Sequence, residues 1–362
     1  MKALLTFRIG LRARAANGLR AALIALGIII AVVPAVASVA TEVSDPVEVI
    51  GSGQDAWPTV LRLEQVYPQD SEGAGKGPIS TATPIPGQTA ASGNVTPTAT
   101  PAPSAQLGAL AERPLEDLAP VSEYLATRAG SIGVAVVVPS QGALYTLNGD
   151  ELFPTASVVK VMIMATVMDR ALQEGRDLTD REIALLEPMI TQSDNYAASA
   201  LWDDVGGGPA VGAYLESIGL SDTIPNPYDY WGATRAPARE VALLFARLEM
   251  GEMLDAQMRE YALDLLSNVE PDQRWGVTAG IPDEPPPGTV VRIKDGWYET
   301  QYGRWWVNSA GVLVPGDDHP AYAIAVLTKD QPGMAYAVET IEAVAERVHA
   351  ALHGQQSDHE AQ

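Results

Sequence analysis

The sequence contains no cysteine and only four histidines. Without cysteine the chain cannot form disulfides, use a thiolate nucleophile or bind a metal ion through sulfur. Three of the histidines lie at the extreme C-terminus, and a Ser-His-Asp triad would need one of them or the fourth (His349, His353, His359 and His319). Nucleophilic chemistry in this chain therefore favours a base other than histidine. We expect neither a metal ion nor a cofactor.

Acidic side chains are missing from the chain before Thr41, although the whole chain is strongly acidic. This N-terminal part carries five basic side chains, whereas the remainder has 18 basic against 45 acidic ones, and the net charge is −22. A surface this acidic repels phosphate groups, which argues against a nucleic-acid partner. Hydrophobic residues make up 47% of the chain, which excludes disorder over its full length and allows a sizeable core.

One long uncharged run, Ala21 to Ala40, dominates the N-terminal region. A helix of this length spans roughly 30 Å, the thickness of the hydrocarbon core of a bilayer. The basic segment 1–20 predicts that the preceding end stays in the cytoplasm. A cleaved signal peptide is the alternative, because Ala35-Val-Ala37 is similar to a cleavage site. We expect an uncleaved single-pass anchor in the cell membrane, and both alternatives place the rest of the chain outside the cytoplasm.

Composition divides the rest of the chain into four parts. Segment 41–67 is too short for a domain, and segment 68–108 is a disordered linker, because its Pro, Thr, Ser and Ala residues cannot bury a core. Residues 109–354 form a domain, and residues 355–362 form a tail. Apolar periodicity in the domain predicts a helix, two strands, a helical middle, three strands and a last helix, at 115–128, 132–138, 144–147, 156–266, 290–294, 305–314, 322–327 and 335–352. This order indicates an α+β fold with one antiparallel sheet formed by the N- and C-terminal strands.

Ser157 and Lys160 stand one turn apart at the start of a strongly apolar helix, which Pro154 marks. The positive end of a helix favours an alkoxide in its first turn, and a lysine three residues later lies on the same face. A partly buried lysine can lose its proton near neutral pH and act as the base for a serine. The alternative is a capping serine with a surface lysine, but the valines and methionine around Lys160 make surface exposure less natural.

Two further motifs follow along the chain. Ser193-Asp-Asn195 precedes another helix and offers a hydroxyl that can relay a proton and an amide that can bind a carbonyl, although by itself it is better interpreted as a helix cap. Lys294-Asp-Gly296 ends a strand pattern. Its glycine would let a substrate approach the backbone, and its lysine would add a cation to the site.

In this order the three motifs resemble the S-x-x-K, S-D-N and K-T-G set of the class A β-lactamases and penicillin-binding serine hydrolases, and similar sequence extends over residues 115 to 352. The resemblance implies a β-lactamase/transpeptidase-like fold. It implies that Ser157 is the acyl-accepting nucleophile and Lys160 its proton acceptor, directly or through water. Ser193 and Lys294 would pass a proton to the leaving nitrogen.

The same resemblance implies four substrate-binding residues. Asn195 would hold the substrate's amide, and Gly296 would let the substrate approach the strand. The backbone N–H groups of Ser157 and Trp297 would form an oxyanion hole. Arg304 lies near the position at which some family members carry a carboxylate-binding arginine.

The sequence departs from the family pattern in two places. The segment between Asp222 and Pro237 is shorter than the family's loop and lacks the glutamate that activates the deacylating water. Its only acids are Asp222 and Asp229. Asp229 is an alternative base on the ground of its location alone, and we expect acylation with slow hydrolysis. Asp295 replaces a threonine or serine whose hydroxyl donates to the substrate's carboxylate, and two like charges about 4 Å apart repel by ~4 kcal/mol at an effective dielectric of 20. Alternatively, the substrate is not an anionic β-lactam, and the aromatic residues around this motif line a site for an apolar or sugar-bearing ligand.

Three functions follow from these patterns. The first is a membrane-tethered serine hydrolase that β-lactams or related amides and esters acylate on Ser157. The second is a cell-wall D,D-peptidase, and the third is a non-catalytic binding module on the same fold, against which the intact motifs argue. We expect a small-molecule or peptidoglycan-type amide substrate and a monomer that contacts the membrane through one helix.

Overall fold

The computed structural model describes residues 107–228, 230–282, 284–316 and 320–359. The expected membrane segment 21–40, almost all of the linker 68–108 and the tail beyond 359 lie outside these residues. Within the described ranges, no helix is long and apolar enough to cross a membrane. The anchor, the linker and the domain boundaries therefore stay predictions.

The strands of the described residues form a six-stranded sheet in the order β1-β3-β2-β8-β7-β6 and a separate pair, β4 with β5. Their bounds are β1 Ala111–Pro114, β2 Ser131–Val138, β3 Ala143–Leu147, β4 Leu152–Pro154, β5 Arg235–Pro237, β6 Val290–Glu299, β7 Trp305–Val314 and β8 Tyr322–Gln331. The N-terminal strand β2 pairs antiparallel with the C-terminal strand β8 at the centre of the sheet, as the sequence pattern predicts. Both strands are buried along almost their full length, which explains their continuous apolar runs.

Helices occupy the middle and the end of the described chain. Their bounds are α1 Ser122–Leu125, α2 Val159–Gln173, α3 Asp180–Thr191, α4 Asn195–Val205, α5 Gly207–Ser217, α6 Ala238–Met250, α7 Ala256–Ser267 and α8 Met334–His359. Helix α2 is buried on nearly all sides among α3, α4 and α5. Helix α6 packs on β2 and β8, and α8 packs on β7 and β8. The chain therefore folds as an α+β structure in which α2 starts close to the sheet.

Two sequence expectations are wrong at the N-terminal edge. The sheet is mixed rather than purely antiparallel, because β1 pairs parallel with β3. The helix expected over residues 115–128 is reduced to a 3₁₀ turn at Leu115–Asp117 and the single turn of α1. Pro120 interrupts this segment and offers no N–H to a helix. Its apolar residues are buried in an irregular connection, which imitates helical periodicity.

Candidate active site

Ser157 lies in a tight turn between the strand β4 and the helix α2. The 3₁₀ turn Ala156–Val158 leads directly into α2, and Ala156 adopts a left-handed φ of 47° that costs energy in a residue with a side chain. The turn is held from behind, because both the N–H (2.8 Å) and the Oγ1 (3.0 Å) of Thr155 donate to the carbonyl of Thr234. Ser157 is only half-buried, so its hydroxyl sits at the surface of a rigid, strained support.

Lys160 lies one turn after Ser157 and is fully buried. Its Nζ lies 2.5 Å from the carbonyl oxygen of Ser193, 3.0 Å from Ser193 Oγ and 2.9 Å from Asn195 Oδ1. Ser193 reaches the amine because it takes a left-handed φ of 56° between α3 and α4, while Asp194 caps α4 by accepting from the N–H of Ala197. The fold therefore brings the first two motifs into direct contact.

The surroundings of Lys160 disfavour its charge. The pKa of Lys160 is lowered to about 6, mainly by burial and also by the charge of Lys294, while the charge of Asp194 opposes both. A neutral amine at pH 7 can accept a proton. No hydrogen bond joins Ser157 Oγ to Lys160 Nζ among the described residues, so direct transfer requires one of these side chains to rotate.

The strand β6 closes the site on the sheet side. A Cβ on Gly296 would lie 2.5 Å from the nitrogen of Ser157 and 2.9 Å from that of Val158, so only glycine allows this approach. Lys294 lies two residues earlier on the same face of the strand and is fully buried. Burial lowers the pKa of Lys294, although Asp295 opposes the shift. Lys294 and Gly296 thus belong to the same cluster as Ser157 and Lys160.

Asp295 faces away from Ser157, because alternate residues of a strand point to opposite sides. Its side chain is fully buried, Oδ2 accepts from the N–H of Trp275 at 3.2 Å, and its register partner on β7 is Ser309. Burial raises the pKa of Asp295 and outweighs the opposing hydrogen bonds from Ser309 and Trp275 and the charge of Lys294, while the charge of Glu342 on α8 adds to the rise. Asp295 therefore does not present an exposed charge that would repel a substrate's carboxylate.

The two remaining predicted substrate-binding residues differ in position. Trp297 directly follows Gly296, keeps 37% of its surface exposed, and places its ring 6.0 Å from that of Trp275. Arg304 lies in the turn between β6 and β7, where its N–H donates to Thr300 Oγ1 at 3.2 Å and its side chain is exposed. The strand β6 continues for three residues after Gly296, which is about 10 Å. Gly296 pairs with Asn308 on β7, so Arg304 lies beyond the end of the strand pair and not beside Gly296.

Sequence reasoning missed Trp231, which lies in the loop between α5 and α6. The face of its ring covers Lys160 Nζ at 4.9 Å, and its Nε1–H donates to Ser199 Oγ at 3.1 Å. The adjacent Gly232 lies against Ala156, because a Cβ added to it would be 3.8 Å from Ala156 Cα. The Trp-Gly pair in this short loop was the only signal in the sequence, and it does not reveal where the ring lies.

The acids of this loop are engaged elsewhere or lie outside the described residues. Asp222 pairs with Arg239. The buried Glu240 at the start of α6 accepts from the backbone N–H groups of Asp222 and Thr223 and from Thr223 Oγ1. Asp229 is outside the described residues. Across the described ranges, no three His, Asp or Glu side chains come close enough to hold a metal ion.

The similarity of this chain to known proteins extends beyond the three motifs. The family model that matches this chain is described as the beta-lactamase enzyme family, and it covers residues 116–184 and 182–352. LppW of Mycobacterium tuberculosis, whose name describes a lipoprotein, is 25% identical over 228 residues, which span 61% of this chain and 70% of LppW. Beta-lactamase L2 of Stenotrophomonas maltophilia is 29% identical over 201 residues, 46% of this chain and 63% of L2.

Solved structures with the same fold are also found. The TLA-3 extended-spectrum beta-lactamase aligns with a TM-score of 0.59 at 17% identity, over 66% of this chain and 98% of that chain. A class A beta-lactamase from Bacteroides cellulosilyticus aligns with a TM-score of 0.58 at 18% identity, over 67% of this chain and 99% of that chain. At these identities the two structures show the shared fold.

Proposed function

Because the chain belongs to the beta-lactamase enzyme family, as its three motifs predict, we propose that it is a serine hydrolase acylated on Ser157 by β-lactams or related amides and esters. The observation that carries this proposal is the state of Lys160. Its amine is buried one turn from Ser157 and is held by Ser193 and Asn195, which equips it to accept a proton at neutral pH.

Acylation uses the clustered groups in turn. Lys160 Nζ accepts the proton of Ser157 Oγ while the Oγ–carbon bond forms at the substrate's carbonyl. The N–H groups of Ser157 and Trp297 stabilise the oxyanion, and losing one such donor typically costs about 10²–10³-fold in rate. Ser193 Oγ gives its proton to the leaving nitrogen or oxygen as the carbon–leaving-group bond breaks. Protonated Lys160, 3.0 Å away, then returns a proton to Ser193.

Lys294 and Asn195 support this sequence without forming bonds to the acyl carbon. A positive charge on Lys294 lowers the pKa of Lys160 and so keeps the base neutral. Asn195 holds Lys160 through its Oδ1, which leaves its amide nitrogen to bind a carbonyl of the substrate.

Hydrolysis of the acyl-enzyme is expected to be the slow step. A water molecule that attacks the ester needs its own proton acceptor. In the described part of the loop between α5 and α6, the carboxylate of Asp222 forms an ion pair with Arg239. The acyl group therefore remains on Ser157 long enough to be detected. A D,D-peptidase, which passes its acyl group to an amine or slowly to water, is the second candidate on the same observation.

We propose further that the catalytic domain is tethered to the outer face of the cell membrane by residues 21–40. The uncharged run with its basic flank supports this placement, and the lipoprotein description of the similar LppW agrees with membrane association.

A fluorescent penicillin tests the proposed function. The full-length chain should be labelled covalently, and Ser157→Ala should abolish the label. Ser217→Ala is the matched control, because Ser217 on α5 bonds only the carbonyl of Tyr214 among the described hydrogen bonds. Labelling that persists in Ser157→Ala at the level of the control would remove Ser157 as the nucleophile.

A further inference from the structure

Trp231 occupies a position on Lys160 that no step of the acylation uses. The carbonyl of Ser193, its hydroxyl and the Oδ1 of Asn195 surround the amine on one side. The ring face of Trp231 covers the amine at 4.9 Å. Only 8% of the surface of Trp231 is exposed, so the ring is a fixed wall and not a mobile surface group.

Two contacts hold this ring in place. The Nε1–H of Trp231 donates to Ser199 Oγ on α4, the same helix that starts with Asn195. The next residue, Gly232, packs on Ala156, immediately before the nucleophile. The ring is thus tied to both sides of the site, to the helix that positions Asn195 and to the turn that positions Ser157.

The position of the ring matters for the second half of the reaction. Deacylation requires a water oxygen to form a bond to the acyl carbon while the Ser157 Oγ–carbon bond breaks. One water proton passes to a base, and Oγ ends with a proton. Lys160 is the base that the described structure places one turn from Ser157, so this water must approach the amine. An indole ring face 4.9 Å from the amine leaves no room for a water molecule between them and offers no proton acceptor there.

We propose that Trp231 is a positioning residue that keeps the hydrolytic water away from Lys160 and so prolongs the life of the acyl-enzyme. This inference rests on the proposed acylation of Ser157. It assigns to this chain a bulky side chain as a specific cause of slow hydrolysis.

The test separates acylation from deacylation in the full-length protein. Wild type, Trp231→Ala, Trp231→Phe and Ser199→Ala are mixed with benzylpenicillin and, separately, with the phenyl ester of N-phenylacetylglycine. Intact-protein mass spectrometry then follows the growth and decay of the adduct. Tyr302→Ala is the matched control, because Tyr302 is an aromatic residue in the exposed β6–β7 turn.

Trp231→Ala should shorten the half-life of the adduct by about tenfold or more, a part of the roughly 10²–10⁴-fold that a well-positioned general base supplies. Trp231→Phe keeps a ring over the amine and should stay within about threefold of wild type, whereas Ser199→Ala, which frees the indole, should lie between the two. Tyr302→Ala should match wild type.

The outcomes distinguish this inference from the proposed function. An adduct that forms on Trp231→Ala and Ser199→Ala but decays at the wild-type rate overturns the role of Trp231 and leaves the acylation intact. If Trp231→Ala fails to fold, Ser199→Ala and Trp231→Phe carry the comparison. Absence of any adduct on the wild type with either donor overturns the proposed function itself.

Discussion

The burial of Lys160 costs folding free energy, because its amine lies in the core at the start of α2. A lysine in such a position either finds an anionic partner or gives up its proton. Its hydrogen-bonding partners here are a carbonyl, a hydroxyl and an amide oxygen, none of which carries a full charge. The arrangement therefore favours the neutral base that the proposed chemistry needs.

The pH dependence of acylation follows from this lysine. Burial lowers the pKa of Lys160 to about 6, so the amine is protonated and inactive below that pH and neutral above it. The second-order rate of adduct formation should rise as the pH increases from 5 to 7 and then level off. Lys160→Arg, which stays protonated, should form no adduct at any of these pH values. A wild-type rate that is flat between pH 5 and 8 would rule out Lys160 as the base.

Asp295 gives a second prediction at this scale, on stability rather than rate. An unfolded aspartate loses its proton near pH ~3.9, whereas burial raises the pKa of Asp295 in the folded chain. Above that pH the folded state holds a proton that the unfolded state releases, so stability falls as pH rises.

Asp295→Asn removes this titration and keeps the shape of the side chain. We therefore expect the difference in the free energy of unfolding between Asp295→Asn and wild type, measured in urea, to shift in favour of the variant between pH 4 and pH 7. The exposed Asp117→Asn serves as the control and should show no such trend. An equal difference at both pH values for Asp295→Asn would mean that the buried carboxyl ionises freely.

At the scale of elements, β6 is the part of the sheet that meets the nucleophile turn. Its residues alternate between Lys294 and Gly296 on the side of Ser157 and Asp295 and Trp297 on the other. The strand approaches so closely at Gly296 that its backbone and the turn Ala156–Val158 are almost in contact.

Gly296→Ala should push β6 away from the nucleophile. The added Cβ would lie 2.5 Å from the nitrogen of Ser157 and 3.0 Å from the carbonyl oxygen of Thr155, both of them backbone atoms that cannot rotate away. We expect a loss of about 1–3 kcal/mol in stability from overpacking. The acylation rate should fall by about 10²-fold or more, because the oxyanion donors no longer align.

The control for this variant is Gly303→Ser in the β6–β7 turn, where a Cβ meets no atom within 4 Å. Its φ of 66° makes the substitution mildly strained, so it also tests whether strain in the hairpin alone slows acylation. An adduct that forms at the wild-type rate on Gly296→Ala would contradict the close approach of β6 to Ser157.

The elements show where sequence patterns suffice. Strands β2, β7 and β8 and helix α2 are apolar runs with both or nearly all faces buried, and their positions follow from hydrophobicity and length. Strand β1 carries no such signal, since all four of its residues are exposed and its parallel pairing depends on β3. The expected helix over 115–128 fails because burial in a loop leaves the same apolar spacing as a helix face.

The site shows the same division. The resemblance of the three motifs to the family's set is enough to predict that Lys160 and Ser193 share one site, although Lys160 lies in α2 and Ser193 lies between α3 and α4. The face of β6 to which Asp295 turns depends on how that strand packs against the nucleophile turn, which is distant in the sequence. The ring of Trp231 over Lys160 likewise depends on a contact between two segments that are far apart along the chain. Neither is encoded in a local pattern.

At the scale of the whole molecule, charge and composition separate the two ends of the chain. The part before Thr41 is basic and apolar, and the remainder carries all of the acidic side chains. If residues 21–40 span the membrane with the basic end inside, protease added to intact cells should remove the domain 109–354. A domain that resists protease until the cells are lysed would contradict the proposed orientation.

The central claim is that Ser157 becomes acylated and that the acyl-enzyme is hydrolysed more slowly than it forms. The most direct measurement is intact-protein mass spectrometry of the full-length chain after rapid mixing with benzylpenicillin, followed by peptide mapping of the adduct. The account predicts one added acyl group per chain, located on the peptide that contains Ser157, formed in a burst and lost slowly. Rapid steady hydrolysis of the penicillin with no detectable adduct, or an adduct on another residue, would contradict it.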